Sequence, residues 1–120
     1  MKTIVITEDE EVLREIFRDE LTEAGYNVVL SQNGEECLGI LETGNVDLLI
    51  LDVKLPDMSG LELLGKMKEK YFAVPVIMCT AYDSFQTDYK SWSASAQVKD
   101  YIVKPIDLEQ LRDKIKKIVG

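Results

Sequence analysis

The sequence predicts an α/β fold of (βα)5 type, a doubly wound sheet of five parallel strands in the order 2-1-3-4-5 with helices on both faces. Three observations point there. Short runs rich in Val, Ile and Leu alternate with segments of helical period. The first, third and fourth of those runs are apolar almost throughout, as strands covered on both faces are. Capping residues stand at the joints. Alternating β and α elements imply a parallel sheet between helical layers. Right-handed crossovers then leave few topologies, of which 2-1-3-4-5 is a common one.

The strands are expected at residues 3–7 (TIVIT), 27–31 (NVVLS), 46–52 (VDLLILD), 75–80 (PVIMCT) and 100–104 (DYIVK). Five apolar stripes with three- and four-residue steps mark the helices between and after them. The first is Val12, Leu13, Ile16, Phe17, Leu21 and Ala24, and the second is Cys37, Leu38 and Leu41. The third is Leu61, Leu64, Met67 and Tyr71. The fourth is Phe85, Tyr89, Trp92 and Ala96, with Trp92 expected in the core. The fifth is Leu108, Leu111, Ile115 and Ile118. Asn33 with Glu36, Ser59 with Glu62 and Asp107 with Gln110 have capping-box spacing. Gly25 and Gly44 stand where a helix end wants a left-handed residue.

A chain of 120 residues, 46% hydrophobic, suits one domain with one core, here 1–120. No secretory signal and no apolar stretch near the roughly 18 residues of a membrane span is present, so a cytoplasmic protein is expected. A net charge of −8 argues against direct nucleic-acid binding. Cys37 and Cys79 lie in apolar patterns and are expected as buried thiols. The chain contains no histidine, so it has no His-based triad and cannot donate a phosphoryl group from a phosphohistidine of its own.

In doubly wound sheets the site lies at the carboxyl ends of the strands. Glu8, Asp9 and Glu10 follow the first strand, Asp52 ends the third, Thr80 the fourth, and Lys104-Pro105 the fifth. Neighbouring strands are roughly 5 Å apart, so these groups face one small pocket. Crowded carboxylates repel, and a hard cation such as Mg²⁺ relieves the repulsion through oxygen ligands. Lys104 adds positive charge, Thr80 can donate a hydrogen bond, and Asp52 is a candidate nucleophile. Phosphoryl transfer asks mainly for positioning and charge neutralisation. The plain alternatives are Asp9 as a helix cap, Thr80 bonded to loop backbone, and Lys104 as a solvated charge.

Four motifs, Glu8-Asp9, Asp52 to Gly60 (DVKLPDMSG), Thr80-Ala81 and Tyr101 to Pro105 (YIVKP), resemble those of response regulator receiver domains across the whole chain. The resemblance implies a flavodoxin-like fold and two-component or phosphorelay signalling. Asp52 would accept a phosphoryl group from a sensor histidine kinase or a histidine phosphotransfer protein. Asp9 would bind Mg²⁺ directly, Glu8 through water, and Lys54 by its backbone carbonyl. Thr80 and Lys104 would contact the phosphoryl group, with a cis bond before Pro105 aiming the lysine. Thr80 and Tyr101 would form a switch that remodels the face of the fourth helix, fifth strand and fifth helix. That face would meet a downstream effector or, after phosphorylation, a second copy. The domain would catalyse only its own phosphorylation and dephosphorylation. Lys54 and Tyr82 occupy two variable positions that tune phosphoryl lifetime, and long residues there resemble slow-hydrolysing relay intermediates.

Glu8 stands where Asp is commoner. Gln97-Val98 replaces a frequent Gly-Ala, and the stretch from Thr80 to Lys104 is slightly long. Three other readings compete. A haloacid-dehalogenase-like phosphatase wants Asp where Lys54 stands. A flavin-binding module would be repelled by Glu8-Asp9-Glu10. An inert docking receiver would not need the full charged set.

Overall fold

Alternation along the strands builds the two cores. Ile4, Ile6, Leu48, Ile50, Ile77 and Cys79 feed one face of the sheet, where they pack with Phe17, Leu21, Ile102, Leu111 and Ile115. Val5, Leu49, Leu51, Val76 and Met78, the residues between them, feed the other face with Cys37, Leu41, Leu63, Leu64 and Met67. This is the period-two geometry of a strand applied to runs that are apolar on both sides.

The computed structural model describes residues 1–81, 90 and 95–120. The elements are β1 (Thr3–Thr7), α1 (Glu11–Glu23), β2 (Asn27–Ser31), α2 (Gly34–Leu41), β3 (Leu48–Asp52), α3 (Gly60–Lys70), β4 (Val76–Ala81), β5 (Val98–Lys104) and α4 (Leu108–Val119). The sheet is parallel with order β2-β1-β3-β4-β5, the predicted topology. Helices α1 and α4 cover one face, and α2 and α3 the other. The fifth predicted helix is α4. Of the fourth apolar stripe, Phe85, Tyr89 and Trp92 lie outside the described residues, as does Tyr82. Ala96 is an exposed turn residue rather than part of a helical stripe.

Three strands differ in their bounds. Strand β3 begins at Leu48 rather than Val46, because Asp47 bonds to Thr3 by main chain and side chain (2.9 and 2.8 Å) at the sheet's edge. Strand β4 runs to Ala81, which pairs with Lys104. Strand β5 starts at Val98 rather than Asp100. Val76 pairs with Val98 and Ile77 with Asp100, so Lys99 is a bulge residue that takes up part of the extra length. Gln97, just before it, is buried and donates its amide to the carbonyls of Tyr71 (2.6 Å) and Val74 (2.9 Å).

The N-cap half of each predicted capping box forms. Asn33, Ser59 and Asp107 accept from the backbone N–H three residues on, at 2.8, 3.0 and 3.0 Å. Helix α1 ends in a Schellman motif: Tyr26 N–H donates to Leu21 O, Gly25 N–H to Thr22 O, and Gly25 has φ of 98°. Its apolar stripe is wider than its buried face. Phe17 and Leu21 are buried, whereas Val12 is 70% and Ile16 42% exposed. Both thiols are free and buried, on opposite faces of the sheet. Burial pushes the Cys37 thiol up to about 11 and raises that of Cys79 as well, so neither is a ready nucleophile.

Two glycines should respond oppositely to alanine. Nothing lies within 4 Å of a Cβ built at Gly25 or Gly39. Gly25→Ala meets only the left-handed backbone penalty and should lower stability by about 1 kcal/mol. Gly39→Ala, inside α2, should raise it by about 0.5–1 kcal/mol. Urea unfolding midpoints that moved the same way would contradict this reading of the helix ends.

Candidate functional site

The carboxyl edge of the sheet gathers the charged residues. Thr7 pairs with Leu51, which sets Glu8 level with Asp52 on the neighbouring strand. Glu8 N–H continues the sheet by donating to Ser31 O (3.1 Å), and Glu8 is only 1% exposed. Its Oε2 accepts from Glu10 N–H (3.2 Å), and Arg14 of α1 donates to its main-chain carbonyl (2.7 Å). The N-cap of α1 is Glu10, without a side-chain capping bond. Asp9 therefore does not cap the helix. Its carboxylate joins those of Glu8 and Asp52, with one oxygen from each lying within 4.8 Å of the others.

Asp52 ends β3 and is 5% exposed. Its Oδ1 accepts from Lys54 N–H (3.0 Å) and its Oδ2 from Lys104 Nζ (2.8 Å). Lys104 lies on β5, with β4 between it and β3. Its four-carbon stem crosses the end of β4 at Ala81, its register partner. Strand spacing of roughly 5 Å makes a shorter cation inadequate there. The Lys104–Pro105 bond is cis, as the resemblance implies. The same ammonium lies 2.9 Å from Glu8 Oε1, so it is a half-buried bridge rather than a solvated charge. Asp9, Glu10, Asp52, Val53, Lys54, Ala81 and Lys104 line a cleft of about 260 Å³ at this edge.

Beneath the acidic groups, the loop after β3 is tightly closed. Gly60 N–H donates to Val53 O (2.6 Å), and Lys54 pairs with Ser59. A Cβ on Gly60 would lie 2.5 Å from Asp52 O, so this glycine lets α3 start against the end of β3. Thr80 is fully buried on β4, and its hydroxyl donates to Ala81 O (3.1 Å). Backbone bonding, one of the plain alternatives, is thus what the Thr80 hydroxyl does in this conformation. Tyr101 is half-buried against the α2–α3 core. Lys114 of α4 stands 5.6 Å from its ring centroid and 2.9 Å from Asp100 Oδ1.

Burial, and then hydrogen bonding with the Asp52 carboxylate, push the Glu8 carboxyl up to about 8 despite Lys104. Burial also works against the Lys104 charge, but Asp52 and Glu8 outweigh it and hold that ammonium above its ordinary range. A proton on Glu8 leaves Asp52 as the charged partner of the ammonium. Glu8 Oε1 is buried, and although it lies at ion-pair distance from Lys104 it accepts no directed hydrogen bond. An orphaned carboxylate oxygen beside two further carboxylates is a donor set suited to a hard divalent cation.

A family model of the response regulator receiver domain matches residues 4–116. The chain belongs to that family. As a receiver, it is 41% identical over 113 residues to a cyclic di-GMP phosphodiesterase of Thermotoga maritima, covering 94% of this chain and 30% of that protein. It spans about half the length or less of the curated relatives it matches. Its fold is similar to the response regulator TrrA of Thermotoga maritima, solved in complex with Mg²⁺-BeF: TM-score 0.85, 38% identity, covering 98% of this chain and 99% of that one. A complex of histidine kinase ThkA with TrrA gives the same TM-score and identity over 100% of both chains. Among the described residues, no helix is long and apolar enough to cross a membrane.

Four contacts of this receiver carried no sequence signal by themselves: Arg14 on the Glu8 carbonyl, Gln97 on the α3–β4 turn, Lys114 on Tyr101, and Asp57 on α2. Each joins residues more than four apart through polar groups, and apolar periodicity does not report such pairs.

The raised Glu8 carboxyl makes stability depend on pH. Between its unfolded value of 4.5 and about 8, the native state holds a proton that the unfolded chain has released. Stability of the metal-free domain should therefore fall as pH rises through that window. No histidine titrates there to mask it. Urea midpoints at pH 5, 6.5 and 8 in a chelator should decline for the wild type and stay flatter for Glu8→Gln. Equal slopes would contradict the assignment.

Proposed function

We propose that residues 1–120 act as one receiver domain in which Asp52 accepts a phosphoryl group from the phosphohistidine of a histidine kinase or phosphotransfer protein. The observation that carries this reading is the state of the Asp52 carboxylate. One oxygen is held by the Lys54 amide and the other by the Lys104 ammonium, at the wall of an open cleft. The named complexes of TrrA with Mg²⁺-BeF and with a histidine kinase support the choice of ion and donor.

Asp9 and Asp52 would hold Mg²⁺ by their carboxylates, Glu8 through water, and Lys54 by its carbonyl. The bound ion supplies positive charge against these carboxylates and the incoming phosphoryl oxygens. In the transfer, an Asp52 oxygen forms the new bond to phosphorus as the phosphorus–nitrogen bond of the donor breaks. The imidazole leaves with that electron pair and takes up a proton. Lys104 exchanges part of its contact with Asp52 for a phosphoryl oxygen. Thr80 turns its hydroxyl from Ala81 O to another, and Tyr101 moves with it. These movements of Thr80 and Tyr101 would alter the face of β5 and α4, where an effector or a second copy would bind. Val12 and Ile16, exposed one turn apart near the start of α1, offer an apolar contact for the helices of a donor protein. The domain has no other substrate in this reading, and works in the cytoplasm.

Incubation with a phosphohistidine donor and Mg²⁺ should place one hydroxylamine-labile phosphate on Asp52. Chelation or Asp52→Asn should abolish it, and Lys104→Met should slow it by roughly a hundredfold. Undiminished labelling of Asp52→Asn would overturn the reading.

A further inference from the structure

The loop that follows the reactive aspartate is fastened to a helix outside the site. Asp57 Oδ1 accepts from Gly34 N–H (2.9 Å) and Oδ2 from Glu35 N–H (3.0 Å), two free amides at the start of α2. These bonds hold the Asp57 carboxyl below its ordinary value, so it is ionised at neutral pH. Helix α2 already has its own cap, Asn33, which accepts from Glu36 N–H (2.8 Å). The next residue presses on the same spot: a Cβ built on Gly34 would fall 2.5 Å from Met58 Sδ. The far end of the loop is closed by Gly60 N–H on Val53 O (2.6 Å) and by the Lys54–Ser59 pairing. Lys54, one member of that pairing, holds Asp52 Oδ1 with its N–H (3.0 Å).

We propose that Asp57 is a positioning residue, clamping the β3–α3 loop to the N-terminus of α2 so that the Lys54 peptide is held in register against Asp52. The clamp fixes two things at once. The Lys54 N–H keeps the Asp52 carboxylate turned with its other oxygen toward Lys104. The Lys54 carbonyl, on the next peptide, is fixed in direction by the same constraint. Capping alone would stabilise α2 and nothing more. The carboxylate geometry distinguishes the roles, since the acceptor comes from the loop 23 and 22 residues along the chain rather than from the helix's own flank. The consequence for phosphorylation rests on the function proposed above, whereas the effect on Lys54 does not.

Asn33→Ala is the matched control, because it removes a cap from the same helix without touching the loop. In Asp57→Asn, one oxygen remains, but an amide N–H₂ now confronts the second backbone donor. Nitrogen-15 NMR of the metal-free full chain reads the Lys54 amide directly. Asp57→Asn should shift that resonance and increase its hydrogen exchange about tenfold, while Asn33→Ala leaves both as in the wild type. With Mg²⁺ and a small-molecule acyl phosphate, Asp57→Asn should phosphorylate about tenfold more slowly, as loss of a supporting contact does elsewhere. Asn33→Ala should stay within about twofold. An unmoved Lys54 amide in Asp57→Asn, or equal effects of the two variants on it, would overturn the clamp. Failure of the wild type to take phosphate would instead overturn the proposed function and leave the amide comparison to decide the clamp. Asp57→Ala, read the same way, guards against a misfolded Asn variant.

Discussion

The ammonium of Lys104, set between Glu8 and Asp52, is the contact on which the site depends. Three carboxylates brought within 4.8 Å of one another repel, and burial adds to the cost of charge on Glu8 and Asp52. The structure meets that cost in two ways. A positive side chain reaches over from β5, and Glu8 holds on to a proton well above the usual carboxylate range. Removing either would leave uncompensated charge where water has little access.

That arrangement follows from the order of the strands. Glu8 and Asp52 meet because β1 and β3 are neighbours, though a strand and two helices separate them in sequence. Lys104 reaches Asp52 because β4 ends in a small residue that its stem can cross. The apolar alternation that covers both faces fixes the register, and the register sets the charged ends level. Packing and chemistry are thus coupled: a one-residue slip of β3 would turn Asp52 away and bury the wrong face.

Much of this was legible in the sequence, for physical reasons that differ by element. The strands and three capped helix starts announce themselves through periodicity and local capping, both short-range signals. The sequence points to Glu8, Asp9, Asp52, Thr80 and Lys104 because strand ends are where such sheets carry chemistry, and the structure brings Glu8, Asp9, Asp52 and Lys104 together. Thr80 reaches the same edge but bonds to Ala81. The start of β5 was missed because the bulge at Lys99 breaks the alternation. Val12 and Ile16 belong to the apolar stripe yet stay exposed, because helical period reports a stripe and not how much of it is buried. Asp57 carries no role in the sequence beyond its place in the Asp52 to Gly60 motif, since no local pattern reveals an acceptor for a helix more than twenty residues upstream.

The charge balance at Glu8 is the claim to test first. Titration of the metal-free domain with Mg²⁺ at pH 7, in two buffers of different ionisation enthalpy, counts the protons released on binding. A carboxyl that titrates near 8 is mostly protonated at that pH. Binding should therefore release close to one proton in the wild type and almost none in Glu8→Gln. Saturable Mg²⁺ binding with no proton release from the wild type would contradict the account.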